Sequence, residues 1–312
     1  MTLLLLLGLS AAVAAVVPAV LARATWAVRA PRLGVLAWEA AAATLVLSAF
    51  GAALAMTMPW HEANDAVCMV WRLCLDALSG AHGRAAQLMS WIGLTVLVAA
   101  LARMTWAGAR LVRVVGLRRR HSRQIRLAGK HRPDMDATVI EHPDPAVYLV
   151  PGRGEQIVVT TGALSRLDQD GLAAVLAHER AHARGRHHLI LTFSGLLHDA
   201  FPKVTVFAQA DRQVRRLVEI CADDDACRHH SRLALARALV ALATPAAAPG
   251  ALAADGGDAL QRMRRLMDPP PPLPRYTQLA AAAALMALPV LPLAILLSAP
   301  VVPVLAAGPP LW

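Results

Sequence analysis

The chain has 312 residues, of which 57% are hydrophobic and only 17% charged, and it carries a formal net charge of +10. Soluble domains are ordinarily less apolar and more charged, so this balance excludes a simple water-soluble enzyme. It fits several membrane spans joined to one modest soluble unit.

Three apolar stretches open the chain, at about 3–21, 35–56 and 88–107, each long enough to cross a hydrocarbon core. The first has no basic n-region, and its apolar run exceeds that of a signal peptide, so an uncleaved anchor is expected. Trp26, Trp60, Trp91 and Trp106 fall near span ends, where indoles favour the interface. Glu39 and Arg103 lie close to span ends and read as snorkelling side chains.

The loop after the first span carries Arg23, Arg29 and Arg32 without an acid. A dense basic run from Arg110 to Arg132 follows the third span, whereas residues 57–87 mix Glu62, Asp65 and Asp76 with Arg72 and Arg84. Because basic residues stay on the cytoplasmic side, the N-terminus and loop 57–87 are expected outside and residues 108–278 inside. The basic run abuts a span, so it is read as setting topology and meeting anionic headgroups, not as binding nucleic acid. An amphipathic helix over 111–127 on the inner surface is a further option. Cys68 and Cys74, in the external loop, suit a bridge or free thiols equally.

Within residues 108–278 the strongest motif is His178-Glu179-Arg180-Ala181-His182, preceded by apolar Leu172 to Ala177. On a helix, positions four apart share a face, so both histidines can hold one Zn²⁺. Glu179 then stands beside the metal as a base for a water molecule. A catalytic zinc wants a third protein ligand and one open position. Glu219 and Asp223 are again four apart. Glu219 suits the third ligand, and Asp223 suits the acceptor that orients a ligand histidine. Asp224 and Asp225 read as a solvated face, and Cys221 falls on another face than Glu219. Cys221 and Cys227 are expected reduced.

H-E-x-x-H followed by E-x-x-x-D resembles the gluzincin membrane peptidases. These include the HtpX and CaaX prenyl protease group and the BlaR/MecR type. Residues 146–152 and 156–164 are similar to the strand pair before the active helix of those families, and Asp168 to His188 to that helix itself. The resemblance covers about 138–225 and implies an α+β zincin-like metallopeptidase domain with one Zn²⁺ per chain. It also implies an edge strand near Gln156 to Thr161 that pairs with an extended substrate.

His187, His188 and Arg186 follow the motif closely and are candidates for contacting substrate or an oxyanion; for the two histidines the polar end of a helix is the plainer role. Leu189 to Phe201 is apolar, short for a span and stopped by Pro202, which suggests a helix packed on the domain or dipping into the inner leaflet. The helix carrying Glu219 and Asp223 is expected over about 204–232. Residues 244–257 read as a loose Ala/Pro/Gly linker, 259–267 as helix, and 268–275 as a stiff proline-rich spacer. A fourth span follows at about 279–297, leaving a short external tail to residue 312.

The expected architecture is therefore mainly α and integral to the plasma membrane, with four transmembrane helices, a cytoplasmic peptidase domain and both termini external. Three spans, a zinc domain and one more span resemble the BlaR/MecR layout, but without the large external sensor domain that follows it there. The expected activity is zinc metalloendopeptidase cleavage of a cytoplasmic or membrane protein, with a transcriptional repressor as one candidate partner. The alternatives are an HtpX-like quality-control protease and a non-catalytic zinc-binding scaffold. The oligomeric state is left open.

Overall fold

Proline and polar caps punctuate the chain into helices. The computed structural model describes residues 1–57, 84–151, 155–243 and 259–298. Helix α1 (Thr2–Ala22) leads through a short α2 (Trp26–Arg29) into α3 (Pro31–Thr57). Pro31 opens α3 in the first turn, where its missing N–H costs nothing. The next described element is α4 (Arg84–Ala128). By length and composition α1, α3 and the 87–116 part of α4 suffice to cross a membrane.

A four-stranded sheet follows: β1 (Lys130–Arg132), β2 (Ala137–Ile140), β3 (Val147–Val150) and β4 (Gln156–Thr160). Its spatial order is β1-β2-β4-β3, with β2 and β4 parallel and the outer pairs antiparallel. Then come α5 (Thr161–Arg166), α6 (Gln169–Arg184), α7 (His187–Ala200), α8 (Thr205–Ala226) and α9 (Arg232–Leu242). Helix α10 covers 259–267, and α11 (Arg275–Ala287) and α12 (Val290–Ser298) end the described chain.

Three expectations change shape. The third span and the basic run form one unbroken helix, so the separate surface helix over 111–127 is not formed; no glycine–proline break interrupts the residues between them. The fourth apolar stretch is two helices bent by 43°, parted at Leu288-Pro289, where proline removes a helical hydrogen bond. The strand expected to offer an edge to substrate, β4, is interior and paired on both sides; β3 is the edge beside α6. Loop 58–83, with Cys68 and Cys74, the linker 244–258 and the tail 299–312 lie outside the described residues.

The apolar helices and the peptidase helices share one interior. Trp38 of α3, 1% exposed, packs with Val35 against Val214, Leu217 and Val218 of α8. Farther along α3, Ala41, Ala42 and Leu45 meet Leu197 of α7 and Val206 and Phe207 of α8, with Val13 of α1. Gly34 permits the close crossing, since a Cβ there would lie 2.8 Å from Leu217 Cδ1. Ser10 of α1 donates to Ser48 of α3 at 2.8 Å, tying the two apolar helices together. Arg103 of α4 donates to the Ala200 carbonyl at the C-terminus of α7, a contact that suits the negative end of the helix dipole. The α7–α8 hairpin thus lies along the middle of α3 and is not a separate layer below it.

Candidate metal centre

Helix α6 is fixed at both ends. Asp168 caps its start by accepting from Gly171 N at 2.7 Å. At its far end Gly185 and then Arg186, in the left-handed region with φ 47°, turn the chain into α7. Between these ends Ala174, Val175 and Leu176 are buried, and one turn on, His178, Glu179 and His182 continue the face of Ala174 and Val175 toward α8 and β3.

The expected set converges. His178 Nε2 and His182 Nε2 are 3.1 Å apart. Glu219 Oε2 lies 3.5 Å from His178 Nε2, and Oε1 lies 3.5 Å from His182 Nε2. Ligand nitrogens each 2.0–2.1 Å from a tetrahedral zinc stand about 3.3 Å apart, so the three side chains fit that ion without rearrangement. Among the described residues they form the group that could hold a metal ion. Cys221 is buried nearby in sequence but is not part of it.

Behind the three lies a ring of supporting contacts. His178 Nδ1 is 2.9 Å from Asp223 Oδ1, and both residues are buried. Arg262 of α10 donates through Nε and Nη2 to the two Asp223 oxygens at 2.8 and 2.7 Å, and its Nη1 lies 2.9 Å from Glu219 Oε2. Arg265, one turn on, pairs with Asp224 and also donates to the Val28 carbonyl of α2. Asp225 pairs with Arg184. The two aspartates expected to be merely solvated therefore both clamp arginines.

These contacts set the charges of the metal-free site. Burial disfavours a charged His178, but its hydrogen bonds to Asp223 and Glu219 prevail and raise it to about 9. Burial lowers His182 to about 4. Glu219 is held down at about 2, where the His178 hydrogen bond and the Arg262 charge overcome burial. Asp223 is likewise held at about 2 against burial by Arg262 and His178. Glu179 is raised, chiefly by burial, which brings a carboxylate closer to the range useful for proton transfer near neutrality.

Glu179 is also held in place. Its Oε2 accepts from Leu149 N of the edge strand β3 at 2.9 Å. A cleft of about 860 Å³ opens in front of it, walled by Tyr148 and Leu149 of β3, by Leu191 and Thr192 of α7, and by Leu111 and Val114 of α4. His187 and His188 line this cleft and Arg186 does not. His187 also stands against His182, with the two Nδ1 atoms 3.0 Å apart. His188 Nδ1 is 3.9 Å from Glu155.

Residues 115–281 match peptidase family M48, which is more than half of the chain and takes in every residue of the centre. The chain belongs to peptidase family M48. The M48 peptidases are zinc metalloproteases, and the His178, His182, Glu219 group is compatible with that metal. A protease HtpX homolog of Aquifex aeolicus (strain VF5) is 38% identical over 79 residues, covering 22% of this chain and 26% of that protein. The match thus spans about a quarter of the curated relative. No solved structure matches the chain.

Arg262 is the residue of this M48 centre that sequence reasoning missed. It lies 39 residues beyond Asp223, across a linker, and no spacing rule joins the two. The helical reading of 259–267 was the available hint, because a helix with arginines at 262 and 265 presents both on nearby faces.

Proposed function

We propose that the chain is a membrane-anchored zinc metalloendopeptidase that cleaves a cytoplasmic or membrane protein. His178, His182 and Glu219 are the ligands, Glu179 the general base and Asp223 the acceptor that orients His178. The observation that supports this most is the joint position of Glu179: beside the metal-ligating triad, and hydrogen-bonded to the edge strand β3. Zinc held there supplies Lewis acidity that polarises a scissile carbonyl and acidifies a water. Glu179 takes the water's proton and passes it to the leaving amine. An extended substrate pairing with the outer edge of β3 lies along the cleft, so its scissile bond reaches Glu179 without a search. Asp223 keeps the His178 proton on Nδ1, which leaves Nε2 free to ligate.

The topology proposed with it has the N-terminus and loop 57–87 outside, residues 108–278 cytoplasmic and the tail after 298 outside. The arginines at 23, 29 and 32 and the basic part of α4 support this orientation. So does packing, since Glu219 and Asp223 lie next to the α8 residues that meet the start of α3, the end that follows those arginines.

Between two purposes, the match to an HtpX homolog favours protein quality control. The three apolar helices ahead of the catalytic helix favour the BlaR/MecR-type layout and cleavage of a repressor. Glu179→Gln separates catalysis from binding: the purified chain is expected to retain about one zinc while hydrolysis falls by a factor on the order of 10²–10⁴. Undiminished cleavage by Glu179→Gln would sink the mechanism. The same variant, expressed in cells, is expected to trap uncleaved substrate, and the identity of the trapped protein decides between the two purposes.

A further inference from the structure

We infer that His187 is a positioning residue for the metal: it accepts the Nδ1 proton of His182 and so locks His182 in the tautomer that ligates through Nε2. This rests on the zinc-peptidase reading above and extends it to a residue outside the ligand set.

The two ligand histidines need the same service. Each offers Nε2 to the shared corner of the site, since the two Nε2 atoms are 3.1 Å apart and each is 3.5 Å from a Glu219 oxygen. An imidazole that gives the Nε2 lone pair to a metal carries its proton on Nδ1, and that proton requires an acceptor. For His178 the group standing at Nδ1 is the Asp223 carboxylate, 2.9 Å away. For His182 the group standing at Nδ1 is His187 Nδ1, 3.0 Å away. Because His182 is the donor in this pair, His187 accepts on Nδ1 and holds its own proton on Nε2. The rings meet edge to face, with centroids 4.9 Å apart and planes at 90°, which points one ring nitrogen at the other.

The local backbone is built around this contact. His187 is the first residue of α7 and is 8% exposed, unusual for a helix-starting histidine. The left-handed Arg186 reverses the chain so that the next side chain folds back over the end of α6. Gly185 leaves the space: a Cβ there would lie 2.3 Å from His187 Nε2, so any side chain at 185 displaces the ring. A left-handed non-glycine and a glycine whose tightest neighbour is the His187 ring are separate costs accepted at adjacent positions. The two ligands are thereby served unequally, one by a carboxylate and one by a neutral ring.

The test uses the full-length chain in detergent, with zinc affinity measured by competition against a chelator. His187→Leu keeps apolar bulk and removes the acceptor; zinc affinity is expected to fall on the order of 10–100-fold. His187→Asn places an amide oxygen near the lost Nδ1 and is expected to recover most of that affinity. Gly185→Ala, which leaves the imidazole present but displaced, is expected to resemble His187→Leu. Cobalt substituted for zinc gives a second readout, with a ligand-field spectrum altered in the Leu and Gly185→Ala forms and near native in the Asn form. Wild-type affinity and spectrum in His187→Leu would overturn the assignment. Equal losses in Leu and Asn would overturn it too, because they would mark a packing role. A wild-type chain that binds no zinc overturns the peptidase reading itself, and this assignment with it.

Discussion

Four residues of the centre make its charge depend on pH, and not all in the same sense. His178 is raised from the ordinary 6.5 to about 9 when no metal is bound, so the metal-free chain gains stability from it below pH 6.5 and loses that gain as pH climbs toward 9. Glu219 and Asp223, depressed to about 2, contribute above their ordinary values near 4 and lose the contribution as pH falls toward 2. His182, lowered to about 4, costs stability as pH drops from 6.5 toward 4. These four groups place the highest melting temperature of the metal-free protein near pH 6.5, and the raised Glu179, which costs stability above its ordinary value, pulls it lower. Zinc must displace the His178 proton below pH 9, while His182 is already neutral at pH 7. Calorimetry at pH 7 in buffers of differing ionisation enthalpy is expected to show about one proton released per zinc; release of none would mean that His178 is neutral before the metal arrives. Arg262→Met leaves a buried Asp223 and a ligand carboxylate without their cation, a loss of roughly 3–5 kcal/mol for a broken buried pair. A fall in the melting temperature of the metal-free chain too small for that would show that Asp223 and Glu219 find water or His178 enough. The five motif residues were legible because a helix puts positions four apart on one face. Arg262 was not, because its partner is set by how α10 folds back on α8. His187 was legible as a substrate or oxyanion candidate or as the polar start of a helix, but not as a partner of His182, since a reversal at Arg186 has no reliable sequence mark.

At the level of elements, catalysis depends on how α8 is seated against α3. Trp38, Val35 and Gly34 form the floor on which Leu217 and Val218 rest, directly before Glu219. Trp38→Ala is expected to cost about 3–5 kcal/mol through the cavity it leaves, and to weaken zinc binding by displacing Glu219. The zinc-loaded and zinc-free forms are expected to lose stability unequally in thermal unfolding, and an equal loss would mean that α8 keeps its place over the cavity. Helix identity was legible here from apolar run and period, whereas pairing was not. Nothing local distinguishes β4 as interior from β3 as the edge; the parallel pairing of β2 with β4 decides it, and that pairing spans a sequence gap. Likewise the apolar run and the basic run read as two pieces although they share one helix, because composition changes at the water boundary while backbone preference does not.

For the whole molecule, the apolar α7–α8 hairpin and α3 form a single body. Leu197, Val206 and Phe207 meet α3 as far in as Leu45, about 20 Å from its first residue at 1.5 Å per residue. If α3 spans a bilayer as proposed, the hairpin tip is expected at the level of the hydrocarbon. Phe193 of α7 is an exposed apolar residue on this hairpin. A cysteine placed there is expected to react with a lipid-soluble maleimide and resist a membrane-impermeant one in native membranes, whereas a cysteine near Arg123 resists the impermeant reagent only while cells are intact. Ready labelling of position 193 by the impermeant reagent would put the hairpin in water. The sequence leaves this element between packing on the domain and dipping into the inner leaflet, because a short, mainly apolar helix suits either; its packing on α3 is what the labelling test builds on.

Helix α4 has 45 residues, about 68 Å at helical rise, more than twice the roughly 30 Å thickness of a bilayer's hydrocarbon. A rod of that length swings its end by about 6 Å for a tilt of only about 5°. Leu111 and Val114, which wall the catalytic cleft, sit past the middle of the rod. Packing against α3 and α7 sets the tilt of such a helix. A small change in that one angle would therefore move a wall of the cleft.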